Sequence, residues 1–197
     1  MKTGDQTTEA IKALLTNREP RSIAAGDIPF KEASVLVPLF LNEKQLWLLF
    51  TKRAATVEHH KGEISFPGGR VDLADSTWED TAVRETFEEI GVKEEEIEIL
   101  GQLDDMTTLT TQFIIHPFVG MIPYPYSFQV NTREVEQLIE IPLRFFFDRC
   151  QPKTHSIKYK SERLEVPAFI YRDAVIWGAT ERILEHFIDL LRSNVKL

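Results

Sequence analysis

The chain has 197 residues, 43% hydrophobic and 27% charged, ordinary proportions for a folded globular protein with room for a substantial core. Its net charge of −8 excludes a broad nucleic-acid-binding face, whereas an anionic small molecule can be bound where metal ions or a local Arg/Lys cluster overcome that field. No apolar run approaches the roughly 20 residues needed to span a bilayer, and the start, MKTGDQTTEAIKALL, lacks the features of a signal peptide.

In chain order, residues 6–16 predict a short amphipathic helix with Ile11, Leu14 and Leu15 on one side. A connecting segment follows to about residue 32, so residues 1–32 read as a helix and linker packed on a main body, 33–197. Ala33–Leu41 and Gln45–Thr51 predict two apolar strands joined by Asn-Glu-Lys, a hairpin buried on both faces. Arg53 to Gly62 is a polar loop holding Glu58, His59 and His60, and Glu63–Phe66 is a brief strand leading into Pro67-Gly68-Gly69.

The best-marked helix begins near Ser76, where Ser76 and Glu79 form an S-x-x-E capping box, and closes at Gly91. Trp78, Ala82, Val83, Phe87 and Ile90 predict its inward face. Glu85, Glu88 and Glu89 fall along one side, where like charges three and four residues apart repel. They also crowd a C-terminal end whose dipole favours cations. A divalent metal would neutralise them; a solvated acidic helix end is the alternative.

Ile97–Leu103 and Gln112–Ile122 predict two more strands, with Pro117 implying an edge position or a bulge in the second. A strand near Leu138–Ile141 precedes a short helix from Pro142 through Phe147. Cys150 is the single cysteine, so no intrachain disulfide forms and a reducing, cytoplasmic setting fits; it reads as a buried bystander. Lys158–Tyr159 and Val166–Tyr171 predict a hairpin, and Gly178–Leu191 a closing amphipathic helix. Strand pairs mixed with three or four helices give an α+β fold, or an α/β/α sandwich.

Gly69 followed by Arg84-Glu85-Thr86-Phe87-Glu88-Glu89-Ile90-Gly91-Val92 resembles the Nudix box, G-x5-E-x7-R-E-U-x-E-E-x-G-U with U apolar. Fourteen residues separate Gly69 from Arg84, one more than usual, and no Glu occupies the early acidic position. Asp72 and Asp75 lie nearby, and either could take over its supporting contact. The same expansion marks the coenzyme A pyrophosphatase branch of the family. Leu49-Phe50-Thr51-Lys52-Arg53, Gly62 and Phe66-Pro67-Gly68-Gly69 resemble that branch's upstream signature, as Ile176-Trp177-Gly178-Ala179-Thr180 resembles its closing-helix sequence. Ala54 and Glu58 depart from it, standing where the signature has Ser and Arg.

The resemblance implies a Nudix α/β/α sandwich with a mixed central sheet, and hydrolysis of the pyrophosphate bond of coenzyme A or its derivatives with Mg²⁺ or Mn²⁺. The products would be 3′,5′-ADP and 4′-phosphopantetheine. Another nucleoside diphosphate derivative, or a ligand-binding module without hydrolysis, are the alternatives. By motif position Glu85 and Glu89 would be the principal metal ligands, with Glu88 and the Gly69 carbonyl completing the set. Arg84 would fix a carboxylate rotamer, and Glu134, with Glu136 and Glu140 behind it, is a candidate general base. Lys52, Arg53, Lys61, Arg70 and His60 are candidates for the substrate. The expected partner is a small nucleotide-derived pyrophosphate, without nucleic acid or membrane; homodimers are common in the family.

Overall fold

The computed structural model describes residues 4–23, 30–55, 62–108, 112–148, 152–159 and 162–195. Glu58, His59, His60, Lys61 and Cys150, which the sequence reading singled out, lie outside them.

Helix α1 (Gly4–Thr16) leads into β1 (Lys31–Asn42) and β2 (Gln45–Arg53), then into two short strands, β3 (Ile64–Ser65) and β4 (Gly68–Arg70). Helix α2 (Trp78–Ile90) follows, with β5 (Glu98–Gln102), β6 (Met106–Thr107), β7 (Phe113–Met121), β8 (Val135–Pro142) and α3 (Leu143–Asp148) after it. The chain ends in β9 (Lys153–Tyr159), β10 (Glu162–Tyr171), β11 (Ala174–Trp177) and α4 (Gly178–Asn194). An eight-stranded mixed sheet carries β8 outside β2 and β7 inside β1, with β1 and β7 parallel and the other pairs antiparallel. A second, three-stranded sheet runs β11-β10-β9.

The apolar runs of β1 and β2 are covered on both faces. Leu36, Phe40 and Leu49 pack with Ala82, Ile90 and Val92 under α2. Val37, Leu39, Leu48 and Phe50 pack on the other face with residues of α1, α3 and α4. That is the layered α/β/α arrangement expected of an α+β chain.

Beyond the pairs Leu39–Leu48 and Asn42–Gln45, β1 and β2 part. Thr51 and Lys52 pair with β8 on one side and β3 on the other, while Ala33 to Val35 pair with β7 on one side and β4 on the other. Residues 64–70 therefore fill the wedge between the two strands, and this puts the two glycines in the sheet beneath α2.

Two local expectations are corrected and a third is narrowed. The helix cap is Thr77, one residue later than expected: Asp80 N–H donates to Thr77 Oγ1 at 3.1 Å, and Thr77 N–H to Asp80 Oδ2 at 2.9 Å. That frame lays Trp78 flat on His116, 3.7 Å between ring centroids. Phe87 is 48% exposed; the inward face is Thr81, Ala82, Thr86, Glu89 and Ile90. Of the two alternatives for Pro117 the edge position is excluded, because β7 is flanked by β1 and by β5 and β6, while the β5–β7 pair is irregular between Ile99 and Gly101. The Pro117 carbonyl accepts from Leu103 N–H where the chain passes from β5 to β6, so the neighbour is interrupted where a proline N–H is missing.

Among the described residues no helix is long and apolar enough to cross a membrane.

The turn between β1 and β2 places Glu43 and Lys44 at φ 49° and 64°, the left-handed pair of a type I′ hairpin, without its preferred Asn-Gly. Replacing both, Glu43→Asn with Lys44→Gly, is expected to raise Tm by about 2–4 °C. A melting scan showing no gain would contradict this reading of the turn.

Candidate active site

Helix α2 lies across the row Gly69–Ser34–His116, register partners on β4, β1 and β7. Trp78 covers His116, and Glu85 covers Gly69. A Cβ on Gly69 would stand 2.3–2.4 Å from the Glu85 carboxyl atoms, so the missing side chain is the space that the carboxylate fills. A Cβ on Gly68 would strike the β1 backbone, 2.4 Å from Ser34 O and 2.7 Å from Val35 Cα. The two glycines therefore serve different contacts, one with the sheet and one with the helix.

Bonds from Leu36 N–H to Pro67 O and from Val71 N–H to Glu32 O set the alternation of the β1–β4 ladder. Gly69, midway between, turns its amide and carbonyl toward β1. Gly68 turns the other way, and its N–H reaches the Glu89 carboxylate. The ladder thus engages the Gly69 carbonyl with β1 and leaves that of Gly68 on the other side of its strand, away from β1.

Arg84 is held in a fork. Its Nε and Nη2 donate to Asp75 Oδ1 and Oδ2, both at 2.9 Å, and its Nη1 donates to Glu85 at 2.9 Å and Glu88 at 3.3 Å. Arg84 Nη2 also donates to the Arg70 carbonyl. Asp75 thus fills the supporting position for which the sequence offered Asp72 or Asp75. The Arg84 bonds, with the Asp72 N–H and the Thr81 hydroxyl, hold its carboxyl well below the usual carboxylate range. Charged hydrogen bonds of this kind are stronger than neutral ones.

Glu89 is 2% exposed, and its Oε2 has no hydrogen-bond partner. Burial pushes its pKa up to about 8; Arg53 and the Gly68 N–H oppose the shift, while Glu85 and Glu134 add to it. Burial likewise raises Glu85, against the pull of Arg84. Glu88 is half exposed, its side chain at 52%. Asn131 N–H donates to Glu89 O, and Asn131 Nδ2 to the Glu134 carboxylate, which brings Glu134 into the field of both glutamates. Glu136 and Glu140 are engaged elsewhere, with Lys52 and with the Tyr124 hydroxyl.

The cations divide into two groups. Lys52 is occupied by Glu136, and Arg53, with a buried unpartnered Nε, serves as countercharge to Glu89. Arg70 is exposed and lies on the Phe113 ring. Sequence reasoning did not single out Asn131, which its bond to the end of α2 brings beside Glu134, or Phe113, which register sets beside Arg70. Tyr124 packs on Phe40, and the Tyr126 hydroxyl bonds to Gly91 O and Glu96.

Residues 30–151 match the NUDIX domain model. A Nudix hydrolase 3 of Caenorhabditis elegans is 30% identical, covering 97% of this chain and 85% of that protein. An uncharacterized Nudix hydrolase NudL of Pectobacterium atrosepticum is 33% identical, covering 78% of this chain and 79% of its own length. The MutT/nudix family protein from Enterococcus faecalis shares the fold, with a TM-score of 0.57 at 15% identity over 98% of this chain and 76% of that one. The chain belongs to the NUDIX domain family and is a Nudix pyrophosphohydrolase. Nudix hydrolases generally use divalent metal ions, and the donor set here fits one: hard carboxylate oxygens, one buried and orphaned at Glu89 Oε2. Among the described residues no three carboxylates or imidazoles already form a closed cage, and Arg84 bridges Glu85 and Glu88.

Folded Glu89 keeps its proton up to about pH 8, while its ordinary value is 4.5. Between these values the folded state binds more protons than the unfolded one, so this group lowers stability as pH rises. In chelator, Glu89→Gln is expected to melt above the parent chain at pH 8, with a smaller gain at pH 5. A Glu89→Gln variant melting lower at pH 8 would show that the buried carboxylate is satisfied after all.

Proposed function

We propose that this chain hydrolyses the pyrophosphate bond of coenzyme A or its derivatives, with Mg²⁺ or Mn²⁺, giving 3′,5′-ADP and 4′-phosphopantetheine. The observation that carries the pyrophosphate chemistry is the buried Glu89 carboxylate, with its Oε2 unpartnered, beside Glu85 over the two glycines of β4. The coenzyme A assignment is supported by the sequence around Thr51–Arg53, Phe66–Gly69 and Ile176–Thr180, and by the one-residue expansion before Arg84.

Glu85 and Glu89 would hold the ion, with Glu88 and the Gly68 carbonyl beside them. When bound, the ion would offset phosphate charge and lower the pKa of a coordinated water. Asp75 fixes Arg84, and Arg84 in turn fixes the rotamers of Glu85 and Glu88, a positioning role. Glu134 would accept the proton of the attacking water; its bond from Asn131 and its nearness to both glutamates support this role. The lone cysteine agrees with a cytoplasmic setting.

Glu58, where the coenzyme A signature has Arg, favours a second reading in which the substrate is another nucleoside diphosphate derivative. Phosphate release from coenzyme A, acyl-CoA, ADP-ribose, NADH and dinucleoside polyphosphates, with Mg²⁺ or Mn²⁺, tests both. Coenzyme A should give the highest kcat/KM; preference for another member selects the second reading, and no turnover of any refutes hydrolysis.

Glu85→Gln and Glu89→Gln are each expected to lower kcat at least ~100-fold without unfolding the chain. Gly69→Ala should do the same, since its new Cβ meets the movable end of Glu85 and no backbone atom is among its close contacts. Near-parental kcat in any of the three would sink the assignment. Glu134→Gln should remove the acid limb of the pH–rate profile; an unaltered profile excludes it as the base.

A further inference from the structure

Phe113, at the start of β7, is approached by two cations. Lys31 Nζ stands 6.0 Å from its ring centroid and the Arg70 guanidinium carbon 5.5 Å. Lys31 is the register partner of Phe113 on β1, and Arg70 comes from β4 beyond β1, paired with Ala33. Both cations therefore reach the ring from the β1 side of β7. Ala33 and Phe113 belong to the face of the sheet opposite α2, so this cluster lies across the sheet from Glu85 and Glu89.

Both side chains belong to exposed residues, and among the described residues neither pairs with a carboxylate. In a chain of net charge −8 that is a conspicuous place to leave two cations together. Holding like charges near one ring is unfavourable, and surface cation–aromatic contacts offset it only weakly. An anion between them would resolve the repulsion, and Phe113 supplies an apolar floor that keeps both heads in place.

The cluster is also tied to the cleavage site. Arg70 follows Gly69 directly, about 3.8 Å along the chain. Its carbonyl accepts from Arg84, the same guanidinium that holds Glu85 and Glu88. A substrate whose pyrophosphate lies at Glu85 and Glu89 can thus present a further phosphate around the end of β1.

We propose that Lys31 and Arg70, seated on Phe113, form a second anion subsite that takes a phosphate monoester on the nucleoside half of the substrate. Building on the pyrophosphatase reading, this assigns the selectivity of the same site: a nucleotide bearing a 3′-phosphate is preferred over its unphosphorylated counterpart. It also supplies positive charge for the substrate in a chain whose upstream loop carries Glu58 instead of a cation.

The test separates binding from turnover. Calorimetric titration of the full chain with 3′,5′-ADP and with 5′-AMP, both in Mg²⁺, should show at least ~10-fold tighter binding of 3′,5′-ADP. The double variant Lys31→Gln/Arg70→Gln keeps the length and hydrogen-bonding capacity of both side chains, and it should bring the two affinities within about twofold. In parallel, the ratio of kcat/KM for coenzyme A over dephospho-coenzyme A should fall about 10-fold in the same variant. Equal affinities in the parent chain, binding of neither nucleotide, or a preference surviving the double substitution would overturn the subsite. A 3′-phosphate preference lost in the variant, in a chain that cleaves no coenzyme A, would uphold the subsite while refuting the coenzyme A assignment.

Discussion

The site depends on how closely α2 approaches the sheet at Gly68 and Gly69. A side chain at Gly68 would collide with the β1 backbone, and one at Gly69 would occupy the volume of the Glu85 carboxylate. The space is made one layer down, where β1 and β2 separate and residues 64–70 fill the gap. With the glycines seated there, Glu89 is buried over the Gly68 amide and Glu85 rests on Gly69. Moving the turn outward would hydrate both carboxylates and remove the enclosure that makes them useful toward a cation.

Electrostatics then decides what each charged side chain does. Three carboxylates on one helix flank repel one another, and a single guanidinium, anchored through two nitrogens to Asp75, links two of them. The planar fork of arginine makes this possible; a lysine in the same place would supply a point charge without fixed direction. Asp75 sits six residues after Gly69, and the additional residue lies between Asp75 and Arg84. The shorter acid and the longer connection come together in a contact of ordinary length. Arg53 is the countercharge that Glu89 feels most.

Much of this was legible in the sequence, for local reasons. The α2 helix announces itself through its cap residues and Gly91, whose φ of 74° closes it in the left-handed conformation. The apolar runs of β1 and β2 required cover on both faces and have it. The helix start was misplaced by one residue because S-x-x-E and T-x-x-D overlap at Ser76 and Thr77, and a tertiary contact, Trp78 on His116, selects the second frame. Phe87 was assigned inward on hydrophobicity, yet small residues and a glutamate occupy that face because the sheet comes so close. Strand β4 could not be read from Gly-Gly-Arg, since pairing with β1 creates it. The grouping of Lys31, Arg70 and Phe113 likewise exists only through register across three strands.

The anchoring of the segment that precedes the glycines carries a consequence for which residues seat them. Arg53 N–H donates to Glu63 O, Gly62 N–H donates to Arg53 O, and Ala54 N–H donates to Glu134 O. The segment between residues 54 and 62 therefore leaves and rejoins the sheet at one residue, and Thr51 locks Ser65 just beyond. The bonds that fix where the chain re-enters the sheet, ahead of Gly68 and Gly69, are made by residues at the two ends of that segment. The seating of the glycines and the composition of the intervening segment are therefore specified by different residues of the chain.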